Sequence, residues 1–266
     1  LLEDLGTETI ATESAAETRE QRYAAAVDVL CAMHSKVWPD RVPVAGSGDY
    51  YLPLYDEEAI LIEAELLLDW YAPEVEEIAG NPSITTSSRR KFLEIWQSLL
   101  PALNSASPVW VLRDYHSPNL HWMEIESGSD RIGLIDFQDA VLGHPAYDTV
   151  SLLQDARIDI TPGLEARLYR RYVDQMAEHE GFNEPGFARA YAILGAQRAC
   201  KILGIFVRLA RRDGKPGYLR HLPRVAGYLA KNLDHPDLNA LKEWINDNLP
   251  DALAPPKDLI NETVGS

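Results

Sequence analysis

Cysteine is scarce in this 266-residue chain, which contains only Cys31 and Cys200. The two lie far apart and form no CxxC pair, so their spacing supports neither a disulfide framework nor a zinc site. Both stand in apolar helical contexts, and we expect them to be reduced residues of the core. This cysteine usage fits a reducing compartment, and we predict a cytoplasmic protein.

Positive charge is also in deficit, because 25 Lys and Arg residues against 41 Asp and Glu residues give a formal net charge of −16. A nucleic-acid partner needs a concentrated basic face, so we predict none.

Long hydrophobic runs are missing as well. The richest apolar stretch, residues 60–70, is interrupted by Glu63, Glu65 and Asp69. It is too polar for a membrane span, and neither a membrane partner nor a signal peptide is predicted.

An initiating methionine is absent. The chain opens with Leu1-Leu2 running into an acidic turn, which resembles the end of a strand whose sheet lies upstream. We therefore expect the sequence to be part of a longer polypeptide.

Helical periodicity dominates what is present. Apolar residues recur at helical spacing before Pro39, again before Pro73, and after a cluster of N-capping residues at 85–88. The middle of the chain instead predicts strands at 108–112, 120–125 and 132–137, the last two joined by a turn at 127–130. Helices are then predicted at 145–157, 163–179, 184–212, 217–232 and 237–248, and the end from residue 254 is expected to fray. The predicted class is α+β, mainly α-helical, with a small central β-hairpin.

Polar side chains concentrate where the central strands end. The first strand leads into Arg113-Asp114-Tyr115-His116-Ser117-Pro118-Asn119, and the hairpin returns through Leu134-Ile135-Asp136-Phe137. This pattern places two carboxylates and one amide oxygen at the same end of a small sheet. An amide oxygen and a carboxylate suit Mg²⁺, while the other carboxylate, Asp114, can accept a proton from a hydroxyl. Such a division of labour favours phosphoryl transfer.

These residues carry a family resemblance. The D-x-x-x-x-N spacing from Asp114 to Asn119, followed by an apolar-Asp-Phe turn at Asp136, resembles the catalytic and metal loops of kinase-like phosphotransferases. The sequence of the two loops is closer to the aminoglycoside phosphotransferase-like branch than to protein kinases. Segment 143–155 resembles the helix that follows the metal loop in that branch, and segment 201–218 is similar to the anomeric kinases of N-acetylmuramate and N-acetylglucosamine.

The resemblance implies the C-terminal catalytic lobe of a protein-kinase-like phosphotransferase that uses ATP and Mg²⁺. It implies an inter-lobe linker over residues 1–8, a helical catalytic lobe over 9–250 with its loops at 112–140, and a tail over 251–266. The residue roles that it implies are catalytic for Asp114 (the base) and His116, metal-binding for Asn119 and Asp136, and adenine-facing for Glu3, Asp4 and Leu5.

Two departures from the family pattern stand out. Leu112 occupies the position where the catalytic motif usually has His. No glycine-rich phosphate loop and no upstream Lys precede the linker, so the N-terminal nucleotide lobe is missing from the sequence.

Several of these residues also have a structural interpretation. His116 contacts a phosphate or the acceptor hydroxyl, or is simply a hydrogen-bonded loop residue. Asp139 lines the site or caps a turn. Arg208 and Arg212 bind an anionic acceptor group such as a lactyl carboxylate, or complement the dipole at a helix C-terminus. We expect Asp148, in the first turn of a helix, to be structural.

The predicted function is transfer of the γ-phosphoryl group of ATP to a small molecule, the anomeric hydroxyl of an amino sugar, by a monomeric enzyme of cell-wall recycling. Two alternatives stay open. An antibiotic phosphotransferase would suit the acidic chain, because aminoglycosides are cationic. A non-catalytic binding module would retain the acceptor pocket without a nucleotide lobe.

Overall fold

The computed structural model describes residues 4–12, 16–124 and 128–261. The chain begins with α1 (Ala16–His34), β1 (Arg41–Val44), β2 (Gly48–Tyr51), α2 (Glu57–Leu66), α3 (Ala72–Ala79) and α4 (Thr86–Leu99). The strands that follow are β3 (Val109–Val111), β4 (Leu120–Trp122), β5 (Ile132–Leu134) and β6 (Val141–Gly143). The remaining helices are α5 (Ala146–Leu153), α6 (Pro162–Met176), α7 (Glu184–Arg211), α8 (Leu222–Asn232), α9 (Asn239–Asn248) and α10 (Lys257–Asn261).

The chain divides into two compact units. The first combines Leu1–Tyr55 with Ser105–Ala188, and the second combines Asp56–Asn104 with Arg189–Ser266. The first unit contains the six strands together with α1, α5 and α6, and the second is helical. The mainly helical α+β class predicted from the sequence is confirmed.

The strands of the first unit form three antiparallel pairs, β1 with β2, β3 with β6, and β4 with β5. Leu120 lies opposite Leu134 in the β4–β5 hairpin, as predicted, although both strands are shorter than expected. The segment before α1 extends this hairpin, because Ile10 N donates to Leu120 O at 2.9 Å and Trp122 N donates to Glu8 O at 2.9 Å. The hairpin therefore has a third chain segment along its edge.

The core of the first unit is built by α1, α5 and α6 around large buried side chains. Tyr23, Tyr115, Tyr147 and Tyr172 are all at most 1% exposed. Burial raises the pKa of Tyr115 and Tyr172 well above the ordinary tyrosine value, so both are neutral hydrogen-bonding groups. The cysteines are free and buried, as predicted.

The second unit shows how one proline is accommodated inside a helical run. After α2 the chain makes a π-helical turn at Leu67–Tyr71 and continues directly into α3. Pro73 lies in the first turn of α3, immediately after this π-helical turn. The regular i to i−4 hydrogen bonding is already interrupted there, which accommodates the missing backbone N–H of Pro73. The helical pattern before Pro73 is confirmed, and a further helical segment begins there.

The longest helix, α7, runs from the first unit into the second. It is long and apolar enough to cross a membrane by length and composition alone, but 83% of its apolar window is buried inside the protein. Such burial is typical of a core helix.

Three features differ from the sequence predictions. The hairpin of β1 and β2 was not predicted, because every residue from Gly48 to Tyr51 is exposed and the hairpin lacks an apolar face. β6 is too short, at three residues, to give a pattern. The predicted frayed tail is ordered at α10, because Leu259 is fully buried.

Two buried histidines in the first unit should make its stability depend on pH. Burial lowers the pKa of His34 from 6.5 to about 3 and that of His144 from 6.5 to about 4. Below pH 6.5 the two imidazoles bind protons in the unfolded chain but not in the folded chain. The free energy of unfolding therefore falls as the pH falls towards 4. Above pH 6.5 the two imidazoles contribute no pH dependence.

We expect each histidine to contribute a slope approaching about 1.4 kcal/mol per pH unit below pH 6.5, measured by urea unfolding between pH 7 and pH 5. His144→Asn is the matched variant, because an amide oxygen can replace Nδ1 as the acceptor of Ala146 N. It should lower the combined slope by about half. An unchanged slope would show that His144 does not carry this dependence.

Candidate active site

The loop after β3 is held in a tight, specific shape. Arg113 has a left-handed backbone conformation (φ 68°), which only one other described non-glycine residue, Asp136, adopts. Asp114 N donates to Leu112 O at 2.8 Å, and His116 N donates to Asp114 O at 2.9 Å. Left-handed backbone in non-glycine residues costs free energy and concentrates at functional sites, so the loop is a site candidate on geometry alone.

Asp136 also has a left-handed backbone conformation, and its side chain lies next to this loop. Asp136 follows β5 with φ 62°, and its Oδ2 lies 3.4 Å from Asn119 Nδ2. Asn119 Nδ2 also donates to Asp114 O at 3.1 Å. The structure therefore brings Asp114, Asn119 and Asp136 together, as the spacing in the sequence predicts.

The donor set of this cluster fits a hard divalent cation. The amide nitrogen of Asn119 is engaged by Asp114 O and Asp136, so its carbonyl oxygen is left as the acceptor. Asp136 is exposed, and its Oδ1 accepts from Gln138 Nε2 at 2.7 Å. Within the described ranges there is no group of three or more His, Cys, Asp or Glu side chains suited to a metal. One carboxylate and one amide instead match Mg²⁺, which completes its shell with water and phosphate oxygens.

Two buried carboxylates from the segment after β6 bind the backbone of this loop. Asp148 accepts from Leu112 N at 2.7 Å and from Arg113 N at 3.0 Å, and it is fully buried. Asp155, also fully buried, accepts from Ser117 N at 3.0 Å and from the Ser117 hydroxyl. The backbone is thus fixed on both sides of Asp114. Asp148, expected to serve the first turn of its own helix, instead binds the backbone of this loop.

His116 is 7% exposed and lies between Asp114 and a cation. Its Nε2 is 3.9 Å from Asp114 Oδ1 and 3.4 Å from the Arg157 guanidinium. Arg157 N in turn donates to Asp155 at 2.8 Å. Its burial among these groups favours a role in positioning the loop over direct contact with a substrate.

The linker residues lie along the hairpin that carries Asp136. Leu5 covers Gly133 of β5 so closely that a Cβ at Gly133 would come within 2.9 Å of Leu5 Cδ1. Asp4 accepts from Gly6 N at 2.9 Å, which fixes the turn before this contact. Glu3, the third predicted adenine-facing residue, is outside the described residues.

The remaining predicted site residues are less closely engaged. Asp139 is exposed in the turn between β5 and β6. Arg208 and Arg212 belong to the second unit, where Arg212 pairs with the adjacent Asp213 at 2.6 Å. The helix-terminus interpretation of this basic cluster has support, because Gly214 is left-handed and Lys215 N donates back to Leu209 O at 3.0 Å.

Sequence reasoning gave no site role to Asp155 or Arg157. The available signal was a pair of carboxylates after the hairpin, Asp148 in the first turn of α5 and Asp155 just beyond the end of that helix. A buried carboxylate that binds backbone N–H groups leaves no spacing rule in the sequence, so the contact had to be seen in the structure.

Comparisons with known proteins identify relatives of this chain. A family model described as "Phosphotransferase enzyme family" matches residues 1–184. An N-acetylmuramate/N-acetylglucosamine kinase from Caulobacter vibrioides is 36% identical over 251 residues, which cover 94% of this chain and 67% of that protein. A protein of the same name from Pseudomonas putida is 31% identical over 252 residues, covering 92% and 68%. The chain spans roughly two thirds of the length of such relatives, and 63% of one from Pseudomonas aeruginosa.

Among solved structures, a choline/ethanolamine kinase family protein from Mesorhizobium loti aligns with a TM-score of 0.50 at 14% identity. The alignment covers 87% of this chain and 68% of that one. At this identity the likeness concerns the fold alone.

Proposed function

The chain belongs to the phosphotransferase enzyme family and is an enzyme that phosphorylates a small molecule, and we propose that it transfers the γ-phosphoryl group of ATP to the anomeric hydroxyl of an amino sugar, N-acetylmuramate or N-acetylglucosamine. The observation that supports this chemistry is the convergence of Asp114, Asn119 and Asp136 on two conformationally constrained loops. The sugar acceptor is supported by the names of the relatives.

Asn119 and Asp136 are proposed to hold Mg²⁺ through the amide oxygen and the carboxylate. When bound, Mg²⁺ neutralises charge on the phosphate oxygens during transfer. Asp136 is kept in reach by its left-handed backbone and by Gln138. Asn119 is oriented by the hydrogen bond that it donates to the Asp114 carbonyl. A residue proposed to bind the metal is therefore hydrogen-bonded to the residue proposed as the base.

Asp114 is proposed as the general base. As the acceptor oxygen forms its bond to the terminal phosphorus and the bond to the leaving ADP oxygen breaks, Asp114 takes the hydroxyl proton. Its side chain is 48% exposed and therefore open to an incoming acceptor. Asp148 and Asp155 fix the backbone on either side, so that the carboxylate is positioned before the acceptor arrives.

Further roles are proposed for residues outside this cluster. Glu3, Asp4 and Leu5 are proposed to meet the adenine of ATP, since Leu5 lies against the strand that leads to Asp136. Arg208 and Arg212 are proposed to bind an anionic acceptor group, and Asp139 a sugar hydroxyl. We propose a cytoplasmic, monomeric enzyme.

The test of the acceptor is a panel of N-acetylmuramate, N-acetylglucosamine and kanamycin, with ADP release and ³¹P NMR as readouts and Mg²⁺ present or chelated. We expect Mg²⁺-dependent turnover with the sugars and a phosphate signal coupled to the anomeric proton. Turnover with kanamycin alone would favour an antibiotic phosphotransferase. Absence of turnover with all three would favour a non-catalytic binding module.

Asp155 offers a test of positioning within the same site. Asp155→Asn removes the charge that holds the Ser117 backbone and hydroxyl, two residues from Asn119. We expect the half-saturating Mg²⁺ concentration to rise about 10-fold to 100-fold, as for other residues that orient metal ligands, while KM for the acceptor changes little.

The matched control for this test is Asp174→Asn, which removes a surface carboxylate paired with Arg170 and should leave the Mg²⁺ dependence unchanged. A loss of thermal stability in Asp155→Asn with an unchanged Mg²⁺ dependence would assign Asp155 a purely structural role.

A further inference from the structure

The end of the predicted linker is held by a buried arginine of α1. Arg22 is 5% exposed. Its guanidinium donates to Thr9 O at 3.1 Å and to the Glu8 carboxylate at 2.9 Å. Both partners belong to the segment that lies along β4, where Trp122 N donates to Glu8 O. Arg22 therefore fixes this segment through a backbone carbonyl and through a side chain.

The same guanidinium contacts the strand that follows the proposed metal loop. Arg22 Cζ lies 5.1 Å from the centroid of the Trp122 ring, which is within the range of a cation–π interaction. Trp122 belongs to β4, and β4 begins at the residue after Asn119. Arg22 thus joins the end of the linker to the strand that starts at a proposed metal ligand.

One turn further along α1, the same helix holds the loop of the proposed base. Tyr115 follows Asp114 in the chain, is 1% exposed, and donates its hydroxyl to Ala26 O at 2.8 Å. Arg22 and Ala26 are four residues apart, so they lie one above the other on α1, about 6 Å apart along its axis. One helix therefore sets the position of the linker relative to the base.

Burial distinguishes Arg22 from other paired arginines of the first unit. Its side chain is 6% exposed, whereas those of Arg41 and Arg167, which also pair with carboxylates, are 58% and 60% exposed. An exposed ion pair contributes little, but a hydrogen bond from a charged group shielded from water contributes more. Loss of Arg22 should therefore loosen the segment that it holds.

We propose that Arg22 is a positioning residue for ATP. The inference rests on the proposed function, because it takes residues 3–5 to meet the adenine and the loops of Asn119 and Asp136 to meet the phosphates. A nucleotide held at both ends binds well only when the two ends of its site are correctly spaced. Arg22 maintains that spacing through Glu8 and Thr9, without contacting the nucleotide.

The test compares the wild-type protein with Arg22→Met, which keeps an apolar contact with Trp122 but removes the charge and the donors. Rates are measured with N-acetylglucosamine as acceptor, and the ATP and acceptor concentrations are varied in turn. We expect KM for ATP to rise about 10-fold, while kcat and KM for the acceptor change less than about twofold. Arg22→Lys restores the charge beside Glu8 and should reverse part of the rise.

A second variant guards against misfolding of Arg22→Met. The Glu8 side chain is 48% exposed, so Glu8→Gln should fold normally and raise KM for ATP about threefold. Added to Arg22→Met, it should cause no further rise, because both act through one contact. The matched control, Arg41→Met, breaks an exposed pair with Asp49 and should leave every parameter unchanged.

An unchanged KM for ATP in Arg22→Met, or an equal rise in KM for the acceptor, would overturn the proposal. A second readout does not depend on catalysis. Ile10 N donates to Leu120 O next to the Arg22 contacts, so its amide hydrogen should exchange about 10-fold faster in Arg22→Met. If the wild-type protein shows no turnover with ATP, the proposed function fails instead. Unchanged exchange at Ile10 would then overturn the anchoring role of Arg22 as well.

Discussion

An Asp114→Asn variant should turn over its acceptor about 10² to 10⁴ times more slowly than the wild-type enzyme, the range by which a positioned general base accelerates a reaction. Asparagine preserves the shape of the side chain but cannot take the acceptor proton. The loss should appear in kcat, with KM for the acceptor nearly unchanged, because the proton moves only in the transition state. Steady-state kinetics over a range of acceptor concentrations separates the two parameters.

The fold should survive this substitution. The Asp114 carboxylate is half exposed and 3.9 Å from His116, so its charge contributes little to stability. The loop is instead held by its own backbone N–H groups, which donate to the carboxylates of Asp148 and Asp155. Asp40→Asn, at an exposed carboxylate of the same unit, is the control and should retain wild-type turnover. An Asp114→Asn enzyme with turnover within tenfold of wild type would contradict the proposed base.

Gly204→Ala should destabilise the second unit by about 3 kcal/mol or more, at the upper end for an overpacked site. Gly204 lies in α7 where a Cβ would come within 2.1 Å of the Leu66 carbonyl oxygen and 2.4 Å of its carbon. Both atoms belong to backbone at the end of α2, so no side-chain rotation relieves the overlap. The helices would have to separate, and the π-helical turn that begins at Leu67 would be displaced with them.

The control for Gly204 predicts a change of opposite sign. Gly227 lies in α8, is exposed, and has no atom within 4 Å of the position of an added Cβ. Gly227→Ala should therefore stabilise the protein by about 0.5 to 1 kcal/mol through helix propensity. Urea unfolding followed by far-UV circular dichroism measures both variants. Equal stability of Gly204→Ala and the wild-type protein would show that α2 and α7 are not in this contact.

The sequence predicted the helices well because their apolar stripes are long. The stripe that includes Tyr23, Val27 and Leu30 forms α1, in which all three residues are fully buried. The exposed β1–β2 hairpin has no such stripe, and its strand formers, Tyr50 and Tyr51, are 52% and 61% exposed. The periodic spacing of apolar residues reflects which side chains are buried. An element that buries few side chains therefore cannot be predicted from that spacing.

The convergence of Asp114, Asn119 and Asp136 was predictable because Asp114 and Asn119 share one short loop between β3 and β4, and Asp136 follows β5, the strand that pairs with β4. The single small sheet expected there is two separate antiparallel pairs, β3 with β6 and β4 with β5. The support of the loop was not predictable. Asp155 acts through the backbone N–H of Ser117, which any residue other than proline would present, and through the Ser117 hydroxyl. A backbone N–H and a single serine form no pattern that a sequence could reveal. The roles of the three converging residues remain predictions for the kinetic tests.

The two left-handed residues, Arg113 and Asp136, have a consequence for engineering this enzyme. Such a conformation costs a non-glycine residue about 1 to 2 kcal/mol, and glycine would remove the cost at either position. A library selected only for thermal tolerance should therefore enrich glycine at both sites. At position 136 that gain would eliminate the carboxylate proposed to bind the metal, so heat resistance and turnover would be selected in opposite directions. Positions 113 and 136 should therefore be excluded from any library designed to raise stability.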